Sequence, residues 1–157
     1  MCTSVAVLSM AIVQACRNRL EAPGTISVMS GRNPGAPPMQ TYRGSCHCGA
    51  IEFEIETELT QATRCTCSLC SKKNALMHRV PPERFHLLKG EDNLALYQWN
   101  TGTAKHYFCK TCGIYPFHMP RAAPDHYSVN VACLDGVDVS KLKINVFDGK
   151  AFSLEKR

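Results

Sequence analysis

The sequence predicts a mostly β fold, an all-β sandwich or barrel, and three observations carry that prediction. Residues Ile51-Glu52-Phe53-Glu54-Ile55-Glu56 alternate strictly, which puts three apolar side chains on one face and three carboxylates on the other, as a half-buried strand requires. Short apolar runs recur at regular intervals between turn-forming sequences, the pattern of a sandwich or barrel rather than of a helical bundle. Seven of the ten cysteines fall in three tight clusters, and such clusters can staple a domain of 157 residues whose core is not large.

In chain order, residues 1–38 stand apart. An apolar run from Val5 to Cys16 gives way to Gly24 and then to Gly31-Arg32-Asn33-Pro34-Gly35-Ala36-Pro37-Pro38, a composition that favours turns over packed elements. The run is well short of the about 20 residues of a membrane helix. Its first basic residue, Arg17, follows the run instead of preceding it, unlike a signal peptide. A flexible N-terminal extension over 1–38 is expected, such as upstream sequence included by start-site choice, with the folded domain over 39–157 and no membrane association. Beyond residues 51–56, strands are expected over 76–80, stopped by Pro81-Pro82, and over 85–88, 94–99, 105–108, 127–132 and 143–147. Lys89-Gly90-Glu91-Asp92-Asn93 and Asn100-Thr101-Gly102 supply turns between them. One short helix is expected, over 68–74.

Composition narrows the function. An apolar fraction of 45% and a charged fraction of 20% are those of a globular protein. The net charge of +5 is spread along the chain with no basic block longer than Lys72-Lys73, so no nucleic-acid partner is predicted. Cys-X-Cys and Cys-X-X-Cys pairs rarely close clean local disulfides and are favoured by metals, which argues for a reducing, cytoplasmic setting. Of the isolated cysteines Cys2, Cys16 and Cys133, the last sits among apolar residues and reads as a small buried hydrophobe.

The clusters are Cys46-His47-Cys48, Cys65-Thr66-Cys67-Ser68-Leu69-Cys70 and Cys109-Lys110-Thr111-Cys112. Seven thiolates make one closed tetrahedral zinc shell of four plus three more, and three protein ligands with an open fourth position are the mark of a catalytic zinc. Cys109-Lys110-Thr111-Cys112-Gly113 has the form of a zinc knuckle, its glycine letting the chain turn under the sulfurs, and Cys46-His47-Cys48-Gly49 is a matching turn. Spacing alone leaves the pairing open, because Cys67 and Cys70 with Cys109 and Cys112 would also make an ordinary zinc ribbon. That pairing would leave Cys46, Cys48 and Cys65 as free thiols. Pairing the first and third clusters leaves Cys65, Cys67 and Cys70 as a compact three-thiolate hook and accounts for all seven.

Gly44-Ser45-Cys46-His47-Cys48-Gly49-Ala50-Ile51, the 65–70 cluster and Phe108-Cys109-Lys110-Thr111-Cys112-Gly113-Ile114 together resemble the signature of the glutathione-dependent formaldehyde-activating enzymes, a family shared with centromere protein V. The resemblance spans residues 39–149. It implies a single-domain twisted β-sandwich stapled by zinc. It also implies two Zn2+ per chain, a structural one on Cys46, Cys48, Cys109 and Cys112 and a catalytic one on Cys65, Cys67 and Cys70.

Among the histidines, His47 lies between two ligands and is expected to point away from their metal. His78, His106, His118 and His126 can each act as a general acid or base near neutral pH. His118 is the candidate catalytic residue, because Ile114-Tyr115-Pro116-Phe117-His118 runs directly out of a knuckle. Arg64, next to the hook, is a candidate for offsetting thiolate charge. A trithiolate zinc is a weak Lewis acid that ionises an incoming thiol. The expected activity is therefore that of a carbon–sulfur lyase or synthase acting on an adduct of a small thiol such as glutathione with a small aldehyde. The alternative is a non-catalytic, zinc-stapled binding module, which would close the hook with a fourth protein ligand.

Overall fold

The computed structural model describes residues 38–152. The extension expected over 1–38 lies outside the described residues apart from Pro38. The chain runs through strand β1 (Gln40–Ser45), β2 (Glu52–Thr57), β3 (Gln61–Cys65), helix α1 (Ser68–Lys73), β4 (Met77–Val80), β5 (Phe85–Lys89), β6 (Leu94–Tyr97), β7 (Lys105–Cys109), β8 (Phe117–Met119), β9 (Tyr127–Asn130) and β10 (Lys143–Phe147). Two sheets result: a three-stranded one in the order β1-β2-β5 and a seven-stranded one in the order β10-β3-β4-β9-β8-β7-β6. All pairings are antiparallel except that of β10 with β3. The mostly β expectation holds.

The alternating segment does what its pattern dictates. Ile51, Phe53 and Ile55 are each 0% exposed, while Glu52 and Glu54 face outward and pair with Arg43 across the strand. Phe53 of the small sheet meets Phe117 of the large one edge-on at 5.7 Å, and Phe85 stacks on Tyr127 at 4.0 Å. These rings join the two sheets. Removing one to alanine would cost on the order of 3–5 kcal/mol.

Strands β1, β3 and β8 were not expected from the pattern. Strand β1 is a sheet edge whose only buried residue is Gly44, and Gly44 is required there because the Phe53 ring occupies the space of a Cβ. In β3 only Ala62 is buried, and β8 has three residues, so neither presents a readable period. Conversely the strand expected to reach residue 132 ends at Asn130, where the side chain accepts a hydrogen bond from the Ala132 amide at 3.2 Å and turns the chain into a 3-10 turn over Val131–Cys133. The helix matches its expected span, with Asn74 as a left-handed C-cap at φ 50.

Candidate metal centres and the cavity beside them

Two equivalent turns build the first centre. In one, the Cys46 amide donates to the Ile51 carbonyl and the Gly49 amide to that of Cys46. In the other, Cys109 donates to Ile114 and Gly113 to Cys109. Gly49 and Gly113 have φ of 70 and 72, which an L side chain adopts only with strain. The four sulfurs of Cys46, Cys48, Cys109 and Cys112 lie within 4.8 Å of one another. Cys46 and Cys48 Sγ are 3.5 Å apart, and Cys48 and Cys109 Sγ 3.6 Å. Tetrahedral zinc–sulfur bonds of about 2.3 Å demand about 3.7 Å. The donor set therefore fits a zinc ion. Amide donors support the sulfurs: Ile51 N–H to Cys46 Sγ at 3.3 Å, Cys112 N–H to Cys109 Sγ at 3.4 Å, and Asn93 Nδ2 to Cys109 Sγ at 3.3 Å. The thiol of Cys112 is pulled down to about 6, first by its bond from the Ile114 backbone amide.

The second centre gathers Cys65, Cys67 and Cys70, again within 4.8 Å of one another, and could hold a metal through three sulfurs. Cys65 ends β3, and Cys67 caps α1 by accepting from the Cys70 amide at 3.4 Å. The loop is braced from the far end of the chain. Phe147 of β10 pairs with Cys65, the Thr66 amide donates to the Phe147 carbonyl at 3.0 Å, and Thr66 Oγ1 donates to Asp148 at 2.9 Å. At Gly149 an added methyl would overlap Cys65 Sγ. The Cys65 thiol is drawn down to about 5, chiefly by its bond with the Cys70 thiol, and the same bond pushes Cys70 up.

The three sulfurs lie in the wall of a cavity of about 730 Å³, which also exposes Trp99, His106 and His118 and, among the described residues, has no acidic residue in its lining. His106 and His118 are cross-strand partners on β7 and β8, with rings stacked 5.1 Å apart. They are 4% and 8% exposed. Burial first, and then the Lys73 ammonium, hold His106 down at about 4. Burial likewise keeps His118 well below the ordinary histidine range. The His118 Nδ1 is buried without a hydrogen-bond partner among the described residues. Lys73 Nζ lies 2.8 Å from His106 Nδ1 and 3.8 Å from the centre of the Tyr115 ring.

The candidate histidines part company here. His118 and His78 both line the cavity. His47 is exposed and outside both sulfur groups. His78 has both ring nitrogens engaged, with Thr57 Oγ1 at 2.7 Å and the Gln61 carbonyl at 2.9 Å. His126 pairs with Asp125 in solvent. Arg64 donates to Asn74 at 2.9 Å and so braces the end of α1. Cys133 is buried as expected, its thiol pushed up to about 11 by burial. Lys73, Tyr115 and Gly149 were not singled out from the sequence. Only Lys73 had a readable signal, standing three residues after Cys70 on a helix and hence on its face. Among the described residues no helix is long and apolar enough to cross a membrane.

Residues 41–149 match the family described as glutathione-dependent formaldehyde-activating enzyme. A crystal structure of a Rhodobacter sphaeroides protein is similar to the chain at 42% identity and a TM-score of 0.60, covering 66% of this chain and 99% of its own. With the sulfur centres in place and more than half of its length matched, the chain belongs to the glutathione-dependent formaldehyde-activating enzyme family.

Proposed function

We propose that the chain is a zinc-dependent carbon–sulfur lyase or synthase that joins or releases a small thiol and a small aldehyde, of the glutathione and formaldehyde type, in the cytoplasm. The observation that carries this reading is the opening of the Cys65, Cys67 and Cys70 hook into a cavity of about 730 Å³. On this reading one zinc sits on Cys46, Cys48, Cys109 and Cys112 as a staple, and a second on the hook. The second would supply an open coordination position at which an incoming thiol binds as its thiolate.

The chain's own residues do the rest. Among the described residues the cavity wall carries Arg79 and Arg121 and no carboxylate, which suits a thiol bearing carboxylates such as glutathione. Trp99 and Phe147 supply apolar surface to the cavity wall. In the forward direction a carbon–sulfur bond forms, the carbonyl π bond breaks, and the proton of the thiol ends on the new hydroxyl oxygen. His118, neutral because it is buried, is the group we assign to carrying that proton.

The rival reading, a binding module, needs a fourth protein ligand to close the hook. Among the described residues the group contains three cysteines and no further histidine, cysteine or carboxylate. Metal analysis of protein purified under reducing conditions, with a screen of thiol and aldehyde pairs for aldehyde consumption, tests the proposal. Two zinc equivalents and turnover are expected. A single equivalent with no turnover would favour the binding module.

A further inference from the structure

Three polar groups stand behind the hook, Tyr115 and His106 buried and Lys73 half-buried. Lys73 leaves α1 on the face of Cys70, and with Tyr115 it borders a small void shared with Cys65 and Cys70. Its Nζ lies over the Tyr115 ring at 3.8 Å and the Phe108 ring at 5.5 Å, contacts that favour the charged ammonium. The three thiolates add a negative field on the same side, opposing the burial that draws Lys73 down to about 8. Both Lys73 Nζ, at 2.8 Å, and Tyr115 Oη, at 3.1 Å, converge on one atom, His106 Nδ1. An ammonium has three donors and no acceptor, so Nδ1 must accept and cannot carry the imidazole proton. The proton of the neutral ring then resides on Nε2, the nitrogen left to face the cavity that His106 lines.

We propose that Lys73 and Tyr115 lock His106 as its Nε2–H form, and that this N–H donates to the aldehyde oxygen of the substrate as the carbon–sulfur bond forms. The inference rests on the lyase reading above and adds a donor that does not belong to either cysteine cluster. Negative charge grows on the carbonyl oxygen as the π bond breaks, and a donor already aimed at it needs no reorganisation. His106 releases no proton to the oxygen in this step. The proton that finishes there comes from the thiol, and Lys73 is a positioning residue.

Long-range proton–nitrogen NMR on the full, zinc-loaded chain reads the tautomer directly. The wild type is expected to show His106 protonated on Nε2 alone, and Lys73→Met to show a mixture. Loss of one such donor lowers kcat by about 100-fold. His106→Phe is expected to do so with KM and zinc content unchanged. His106→Gln, whose amide can reach the Nε2 position, should recover at least about tenfold of that loss. Wild-type turnover with His106 protonated on Nδ1, or an unimpaired His106→Phe, overturns the donor role alone. Absence of wild-type turnover with every thiol and aldehyde pair overturns the lyase reading and the donor role with it.

Discussion

The two cysteine clusters set the same ligand type in contrasting surroundings. Cys46, Cys48, Cys109 and Cys112 come from two near-identical glycine turns, and backbone and Asn93 amides point at Cys46 and Cys109 Sγ. In the hook the Cys70 amide bonds Cys67 Sγ and the Cys67 and Gly149 amides bond the Cys65 thiol, while the three thiols also lean on one another. Four sulfurs complete a shell and leave nothing to exchange, whereas three beside a cavity leave a position for a ligand. On the proposed reading, the sulfur count and the adjoining cavity, and not the ligand type, separate a staple from a reactive centre.

The sharpest way to break this contrast is to remove one sulfur from each side. Apparent zinc-binding energies of about 10–16 kcal/mol at structural sites match or exceed the about 5–15 kcal/mol stability of a whole domain. Cys109→Ser is therefore expected to abolish soluble, cooperatively melting protein. A folded and fully active Cys109→Ser chain would remove the structural role. Cys67→Ala should instead keep the wild-type melting transition to within a few degrees, drop zinc from two equivalents towards one, and lose turnover. Zinc content and melting curves measured on the same preparation decide the matter, and retained activity would end the catalytic assignment.

A smaller effect is expected at the brace. Gly149→Ala forces a methyl into the space of Cys65 Sγ. Disturbing a partner outside the ligand shell costs about 10–100-fold in metal affinity. Chelator competition should show that weakening at the hook alone, with the staple untouched. Trp99, the single tryptophan and part of the cavity wall, gives a fluorescence signal for it. Equal affinity in the variant would mean that the loop tolerates displacement.

Acid should separate the two regions most gently. His106 and His118 have folded pKa values below their unfolded one of about 6.5, so above that pH neither state binds the proton and stability is level. As pH falls from about 6.5 towards 4, the unfolded chain takes protons that the folded cavity wall refuses, and stability declines. The histidine nearest the staple, His47, is exposed. Urea unfolding of the zinc-loaded protein at about pH 7 and about pH 5 should show a smaller loss for His106→Gln than for the wild type. Identical losses would show that the buried ring does not titrate as described.

Much of the fold was legible because its signals are local. The 51–56 alternation found β2, Lys89 to Asn93 found a turn, and cysteine spacing with the following glycines found both knuckles. What remained hidden depends on partners far along the chain. Strand β3 has one buried residue, Ala62, and is a strand because β4 and β10 flank it. Tyr115 lay inside a run that looked merely apolar, yet its hydroxyl is turned to His106. His106 carried no mark in its own neighbourhood, since its role is set by Lys73 from a separate element.

The parallel pairing of β10 with β3 bears on how the protein is made. Both knuckles of the staple are complete once residue 114 has left the ribosome. The hook's cysteines emerge earlier still, but the strand that braces them is the last among the described residues. A nascent chain halted before residue 143 would hold all seven clustered thiols but lack the strand that braces the hook. The four-sulfur turns are therefore complete without β10, whereas the brace on the hook is not.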